Sequence, residues 1–289
     1  MQALQELARK LLTDKTANVV IGWGQGPRGP RPIFVTQPEH ADRLIFDTRC
    51  VHNLATYLNP RRAHLVPFVK KAVVVKPCDA RAVAGLIRET QVKREDVVLI
   101  GMRCGGVVRD SDMDGKLTEA TVSPRCMDCP DREPKLADHL MGEEASAPPK
   151  GKGPDMIAKL DAMSPAERWE FWQKELERCV RCHACREVCP MCFCDRCIAD
   201  KSMPQWIESS PHPRGNLSWQ MTRVMHMAGR CVGCGECTRA CPVDIPLGLI
   251  LRKMTQTVEE RFGYRVSDDP TVPAPMGAYR LDDKQEFIL

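Results

Sequence analysis

Two short segments of the 289-residue chain carry the same arrangement of cysteines. In each segment, two residues separate successive members of a cysteine triplet, and a further cysteine follows after three residues, directly before a proline. The first segment contributes Cys179, Cys182, Cys185 and Cys189, and the second contributes Cys231, Cys234, Cys237 and Cys241. Four cysteine thiolates are the ligands that a 4Fe-4S cluster needs, and this is one of its known spacings. The repeated pattern therefore predicts two such clusters.

The last cysteine of each repeat is expected to bind the cluster of the other repeat, as in a bacterial two-cluster ferredoxin. The first ferredoxin set would then consist of Cys179, Cys182, Cys185 and Cys241. The second ferredoxin set would consist of Cys231, Cys234, Cys237 and Cys189. Zinc is the alternative metal for closely spaced cysteines, but two complete repeats favour iron-sulfur clusters.

Four more cysteines are predicted to meet at one edge of a sheet, although they are distant in sequence. Two short apolar runs separated by a helical segment predict parallel strands joined by a right-handed crossover. Cys78 and Cys104 follow the carboxyl ends of these strands, where ligands bind in open parallel sheets, and a turn-prone loop adds Cys126 and Cys129. This N-terminal set would bind a third 4Fe-4S cluster. Alternatively, its members pack as small apolar residues, or the Cys-x-x-Cys pair binds zinc.

The remaining cysteines are again four in number, and their role is open. They are Cys50, Cys192, Cys194 and Cys197. Soft thiolate ligands in this number suit a further cluster or zinc, for which His183 and His212 would be competing donors. The third alternative is that these thiols bind no metal and pack beside the other clusters.

The distribution of Pro, Gly and apolar residues predicts two domains joined by a linker. Residues 1–141 are expected to form an α/β domain with a partly parallel sheet, and residues 142–163 the linker. Residues 164–263 are expected to form an α+β domain of the bacterial dicluster ferredoxin type. That domain contains a cysteine-rich helical insertion at 191–230, and residues 264–289 follow as a tail.

Local sequence signals predict where helices begin and what they bury. The sequence SPAE at 164–167 is a capping box, which predicts a helix from Pro165 to about Arg178. Asp79 is interpreted as the N-cap of the helix between the two parallel strands. Within the insertion, a helix is predicted to bury an apolar stripe of Met221, Val224, Met225 and Ala228.

Composition limits the classes of function that the chain can have. The net charge is +4 and basic residues are mixed with acidic ones, which disfavours nucleic acid as a partner. The N-terminal segment lacks the apolar region of a secretory signal, and no apolar run is long enough to span a membrane. A cytoplasmic location is therefore expected. Thiols stay reduced there, so 16 clustered cysteines favour metal binding over disulfides.

The N-terminal cysteine loops also resemble those of a known family. The segments KPCDARAVAGL at 76–86, GMRCGG at 101–106 and CMDCPDREPKLADHLMGE at 126–143 resemble, in this order, the beta subunits of coenzyme F-420 hydrogenases and dehydrogenases. The resemblance covers roughly residues 17–145. It implies an iron-sulfur flavoprotein that binds FAD and passes electrons between a two-electron carrier and one-electron clusters.

The residues themselves give less support for a flavin site. GWGQG at 22–26 is followed by prolines where a helix should begin, so it is interpreted as a glycine turn and not as a dinucleotide fingerprint. Lys76 and Arg81 are candidate partners for the FAD pyrophosphate, because both side chains pair with phosphate oxygens. Gly105 and Gly106 would let the backbone approach a ligand closely.

A second resemblance concerns the C-terminal repeat. Residues 226–254 are similar to dicluster subunits associated with heterodisulfide reductases, which implies redox partner subunits of the heterodisulfide-reductase, hydrogenase or formate dehydrogenase type. Two functions follow as hypotheses. In the first, the chain is an FAD-containing electron-transfer subunit of a cytosolic oxidoreductase complex. In the second, it is a flavin-free electron wire without a substrate site.

Overall fold

The fold places a mixed sheet before the cysteine repeats and short helices around them. The computed structural model describes residues 1–110, 112, 114–127, 129–151, 155–208, 210–279 and 281. The strands are β1 (Val19–Gly26), β2 (Gly29–Val35), β3 (Leu44–Ile45), β4 (Lys71–Val75), β5 (Val97–Met102) and β6 (His139–Met141). The helices are α1 (Gln2–Thr13), α2 (Pro77–Arg88), α3 (Met156–Ala162), α4 (Pro165–Glu177), α5 (Ala184–Glu187), α6 (Pro213–His226), α7 (Glu236–Arg239) and α8 (Leu247–Phe262).

The sheet has the strand order β2-β1-β4-β5-β6, and β3 also pairs with β1. Strands β1, β4, β5 and β6 are parallel to their neighbours in this group, whereas β2 and β3 are antiparallel to β1. The predicted partly parallel sheet is therefore confirmed, and so is the crossover through α2. Cys78 and Cys104 consequently lie beyond the carboxyl ends of the adjacent strands β4 and β5.

Close packing explains the glycines of the first strand. Gly22 and Gly24 lie inside β1, so the expectation of a glycine turn at 22–26 was wrong. A Cβ atom at Gly22 would lie 2.4 Å from Leu44 Cδ2, and one at Gly24 would lie 2.6 Å from Ile33 Cδ1. These positions have no room for a side chain because neighbouring residues cover the strand. The hairpin turn itself comes later, between β1 and β2.

The helix starts agree with the capping signals in one case and differ in the other. Helix α4 begins at Pro165 with the predicted capping box, in which Ser164 N donates to Glu167 Oε2 at 2.8 Å. Helix α2 begins at Pro77, so Asp79 is its third residue and the predicted N-cap was wrong. Asp79 instead accepts a hydrogen bond from the backbone of Lys76 at 2.9 Å, because a carboxylate at this position can reach back to the cap.

The segment predicted as a linker contains a short helix. Asp155 caps α3 by accepting from the backbone of Ile157 and Ala158, and Ile157 and Leu160 are buried. Residues 152–154 of this segment lie outside the described residues.

Beyond α8 the chain packs against the N-terminal domain, and Arg265 Nη2 lies 2.8 Å from Asp131 Oδ2. The final KQEFIL of the predicted tail lies outside the described residues.

The insertion between the repeats contains the predicted helix, α6, but the helix buries a different face. Val224 is buried as expected, whereas Met225 is 58% exposed. The most buried positions include Asn216, Gln220 and Arg223, which are polar. The predicted apolar stripe is therefore wrong in part. Within the described parts of the chain, every helix is too short or too polar to cross a membrane.

Candidate metal centres

The second ferredoxin set assembles across the two repeats. Cys189 comes from the first repeat, yet it lines the same cavity as Cys231, Cys234 and Cys237 of the second repeat. The cavity has a volume of about 650 Å³. Burial raises the pKa of the Cys237 thiol to about 12, and neighbouring Cys231 and Cys189 also raise it. The structure thus brings together the four thiols that the repeated motif predicts for one cluster.

The first ferredoxin set surrounds the other repeat. Burial raises the pKa of Cys185, and the nearby thiols of Cys179 and Cys241 raise it further. The Cys241 sulfur accepts a hydrogen bond from the backbone of Ile245 at 3.4 Å. Cys182 is exposed at the surface. This set therefore lies closer to solvent than the second set, with one predicted ligand at the boundary.

The two repeats share an unusual backbone between their cysteines. Arg181 and His183 have φ values of 55° and 61°, and the equivalent Gly233 and Gly235 have 70° and 67°. Glycine adopts this left-handed region freely, whereas a residue with a side chain does so at a cost of roughly 1–2 kcal/mol. Alternation of left- and right-handed residues turns backbone N–H groups towards an anion. The first repeat keeps this conformation in spite of the strain, as an anionic cluster would require.

The N-terminal set lies directly beside the second ferredoxin set. Cys78, Cys126 and Cys129 line a cavity of about 240 Å³ together with Cys231 and Cys234. Burial raises the pKa of Cys104, and the nearby Cys126 thiol also raises it. The sheet edge and the Cys-x-x-Cys loop therefore meet as predicted from the sequence.

Backbone amides already point at these sulfurs. The Cys104 sulfur accepts from Gly106 N at 3.4 Å, and the Cys126 sulfur accepts from Val107 N at 3.4 Å. Amide hydrogen bonds to cysteine sulfur are among the factors that set the potential of a cluster. All-thiol donor sets with such amides fit 4Fe-4S clusters, which would be held by the N-terminal set and the two ferredoxin sets.

A single metal ion is a poorer match. Among the described residues, no three His, Cys, Asp or Glu side chains are arranged to hold one ion. Zinc draws its ligands to about 2.3 Å from one point, whereas a 4Fe-4S cluster distributes its four cysteines over four irons.

The four remaining cysteines do not come together. Cys192, Cys194 and Cys197 line a cavity of only about 40 Å³, which has room for roughly one water molecule. Cys50 is fully buried and does not line this cavity, and its sulfur accepts from the backbone of Asp47 at 3.3 Å. A fourth cluster or zinc site shared by these residues stays a prediction that the geometry does not favour.

The loop that carries these thiols is fixed by arginines. Arg61 Nη2 donates to the carbonyl of Cys192 at 2.6 Å, and Arg186 Nη2 donates to that of Cys194 at 3.0 Å.

The two histidines predicted as competing zinc donors make other contacts. The ring of His183 meets Trp219 edge to face, and His212 lies 2.5 Å from a carboxylate oxygen of Glu208.

The candidate FAD residues are occupied by contacts within the chain. Lys76 Nζ is buried, lies 3.1 Å from Asp79 Oδ2 and donates to the carbonyl of His52 at 2.7 Å. Arg81 pairs with Asp131 at 2.9 Å. Neither side chain is therefore available to a pyrophosphate in this arrangement.

The candidate glycines likewise face the protein. A Cβ atom at Gly105 would lie 3.3 Å from the carbonyl of Ser146, and one at Gly106 would lie 3.0 Å from Pro148. Gly106 has a φ of 114°, so it is needed for the backbone turn itself. FAD binding by these four residues stays a prediction that their contacts do not favour.

Sequence reasoning missed the ion pairs that join the two domains. Arg125 Nη1 lies 2.7 Å from Glu236 Oε1, and Arg239 Nη2 lies 2.8 Å from Oε2 of the same carboxylate. On the other repeat, Arg61 Nη1 lies 2.9 Å from Glu187 Oε1. No local pattern marks Arg125 and Arg61 as partners of these carboxylates, because they are more than 100 positions away from them. Arg239 is only three positions from Glu236 and braces it within α7.

Known proteins share both parts of this arrangement. Residues 175–245 match the family described as a 4Fe-4S dicluster domain. The cysteine geometry and this match together support an iron-sulfur protein that transfers electrons.

Two relatives extend the likeness to most of the chain. The chain is 25% identical to the F420-dependent formate dehydrogenase subunit beta of Methanocaldococcus jannaschii, over 94% of this chain and 93% of that protein. It is 24% identical to the F420-dependent formate dehydrogenase 1 subunit beta of Methanococcus maripaludis, over 85% and 84%. The predicted resemblance to F-420-related beta subunits with a ferredoxin domain is confirmed.

A solved structure overlaps over a smaller part. A chain of the F420-reducing NiFe hydrogenase complex from Methanosarcina barkeri aligns with 37% of this chain and 38% of its own length, with 14% identity and a TM-score of 0.30. This overlap is too limited to support an inference about the fold.

Proposed function

We propose that this protein is an electron-transfer subunit of an oxidoreductase complex, with three 4Fe-4S clusters in series. The order would be the N-terminal set, then the second ferredoxin set, then the first. The observation that carries the proposal is the shared cavity, which Cys78 and Cys126 line from one domain and Cys231 and Cys234 from the other. Electrons would therefore pass between domains without leaving the protein.

The proposed outlet of this series is the first ferredoxin set. Cys182 is exposed there, and the adjacent Val180 is 56% exposed. A partner that docked on this surface would come close to a cluster. The two relatives are named as formate dehydrogenase beta subunits, which supports a partner of the formate dehydrogenase type. Hydrogenase and heterodisulfide-reductase-like subunits are the other proposed partners, in the cytoplasm.

Between the two hypotheses, the contacts of the candidate flavin residues favour the electron wire. Lys76 is enclosed by Asp79 and the Trp23 ring, whose centroid lies 4.1 Å from Nζ. Only the exchange of single electrons between clusters is then assigned to this chain. Two-electron chemistry would take place on a partner, whose cofactor would supply it.

The second candidate is the FAD-containing subunit. Its support is the similarity to F420-dependent relatives over 94% of the chain. Acid precipitation of the anaerobically purified protein separates the two candidates, because it releases bound FAD into solution. Release of about one flavin per chain would reject the electron-wire hypothesis in favour of the FAD-containing subunit. The flavin would then bind at a site other than Lys76 and Arg81.

Iron analysis and redox titration test the series itself. Three clusters predict about twelve irons per chain and three one-electron steps when the protein is titrated with dithionite. About eight irons and two steps would show that the N-terminal set binds no cluster, and would overturn the proposed series.

A further inference from the structure

Helix α6 lies between the two cysteine repeats in sequence and covers both of them in space. Its residues Asn216, Gln220 and Arg223 are four and three positions apart, so they share one face of the helix. Their relative exposures are 1%, 1% and 6%. Three polar side chains on the buried face of a helix need polar partners, because an unpaired polar group costs free energy when buried.

The partners of this face belong to the predicted cluster ligands. Asn216 Nδ2 donates to the carbonyl of Cys179 at 2.8 Å, and Gln220 Nε2 lies 3.6 Å from the Cys179 sulfur. Arg223 Nη2 donates to the carbonyl of Cys185 at 3.0 Å. The helix therefore forms a row of hydrogen-bond donors against the first ferredoxin set.

Arg223 extends this row to the second set. Burial alone would lower the pKa of its guanidinium, but the thiols of Cys189, Cys237 and Cys192 raise it, as does that of Cys185. Cys189 and Cys237 belong to the second ferredoxin set, and Arg223 lines their cavity. It also lines the small cavity of Cys192. One cation thus lies between the two predicted clusters.

The charge of this guanidinium has no ordinary counterion. Among the residues that the structure describes, the Nε and Nη1 atoms of the Arg223 guanidinium have no hydrogen-bond partner, and Nη2 donates to a backbone carbonyl and not to a carboxylate. Arginine stays protonated in proteins, and a buried unpaired charge is strongly unfavourable. An anionic group must therefore compensate it. A cluster bound by four thiolates is such a group, and its sulfurs accept N–H hydrogen bonds.

We propose that Arg223 is a positioning residue that raises the reduction potentials of both ferredoxin clusters. A positive charge beside a cluster favours the form with one more electron, and N–H donors to sulfur act in the same direction. Because one side chain binds the first set and lines the cavity of the second, it would shift the two potentials together. The inference rests on the proposed function, since it requires clusters in both ferredoxin sets.

Redox titration of the anaerobic full-length protein, followed by electron paramagnetic resonance, tests this role. In Arg223→Gln, both midpoints should become more negative. A tenfold loss of reduced cluster at a fixed potential corresponds to about 59 mV for a one-electron couple. Arg223→Lys keeps the charge but loses the planar donors. Its midpoint potentials should therefore lie between those of Arg223→Gln and wild type.

Arg214→Gln is the matched control, because it removes the same charge from the same helix. The Arg214 side chain is 82% exposed, so the midpoint potentials of the Arg214→Gln variant should equal those of wild type. Unchanged midpoints in an iron-replete Arg223→Gln would overturn the inference. Loss of iron from both Arg223 variants would also overturn it, because the residue would then be structural. A wild-type protein without two cluster signals would instead refute the proposed function.

Discussion

Arg125 and Glu236 form a buried ion pair across the junction of the two domains, with 2.7 Å between Nη1 and Oε1. Arg125 also donates to the carbonyl of Val51 at 2.7 Å and to that of Cys234. Burial alone would raise the pKa of Glu236, but Arg125 and Arg239 hold it at about 2. The loop of the N-terminal set and the second repeat are therefore fixed to each other by charge.

Loss of this pair should weaken the whole molecule. Arg125→Met leaves Glu236 buried with Arg239 as its remaining partner, so the expected cost is about 3 kcal/mol, at the lower end for a broken buried pair. Thermal unfolding at one scan rate should show a midpoint lower by about 6 °C or more. Arg103→Met is the control, because the Arg103–Glu133 pair is half exposed and should contribute about 0–1 kcal/mol. Equal midpoints for the two variants would contradict the assigned role.

Iron content should respond to the N-terminal set and not to Cys50. Cys78→Ser removes a thiol from the cavity between the domains, and we expect it to lose about four of about twelve irons. Cys50→Ser should retain all of them, because this buried thiol is not among the residues that line that cavity. Colorimetric iron analysis under anaerobic conditions measures both. Full iron in Cys78→Ser would exclude a cluster there, and iron loss from Cys50→Ser would restore Cys50 as a candidate ligand.

Cys189 of the first repeat and Cys192 of the insertion should differ in the same assay. Cys189 lines the large cavity with the second ferredoxin set, whereas Cys192, whose thiol hydrogen-bonds that of Cys189, lines the small one. We expect Cys189→Ser to lose about four irons and the spectrum of the second cluster, while Cys192→Ser keeps both. Iron loss from Cys192→Ser alone would mean that the extra thiols bind metal after all.

Lys76 should matter for stability and not for flavin binding. Lys76→Met leaves Asp79 buried without its ion pair, which should cost about 3–5 kcal/mol. The double variant Lys76→Met, Asp79→Asn should recover part of this loss, because it removes the unpaired charge. Lys70→Met changes an exposed lysine and should leave the thermal midpoint unchanged. If Lys76→Met has normal stability but an altered flavin content, Lys76 would again be a candidate ligand of FAD.

Features with a fixed local spacing were predictable from the sequence. The capping box before α4 and the β4-α2-β5 crossover appear where propensity and periodicity place them. Grouping of the N-terminal cysteines followed from topology, because adjacent parallel strands present their carboxyl ends at one edge. A short local motif determines where α4 begins, and the strand-helix-strand connection determines which loops lie at the same edge of the sheet.

Interactions between distant segments were not predictable. Lys76 looked like a phosphate ligand because a lysine beside a helix start has that chemistry, yet its side chain enters the core and pairs with Asp79. The only sequence signal of Arg223 is its spacing from Asn216 and Gln220, and the apolar residues on the same helix favour a different buried face. Only a tertiary structure shows which face of α6 the cysteines occupy.

The contacts between the domains also determine how electrons can travel. A body attached at a single point pivots, but here both repeats are anchored, through Glu187 and Glu236, and Arg265 adds a third attachment. With three ion pairs between these parts of the chain, we expect the gap between the N-terminal and ferredoxin sets to vary little. The rate of internal electron transfer should therefore be the same in water and in glycerol. Only the rate of encounter with a partner should fall as the solvent viscosity rises.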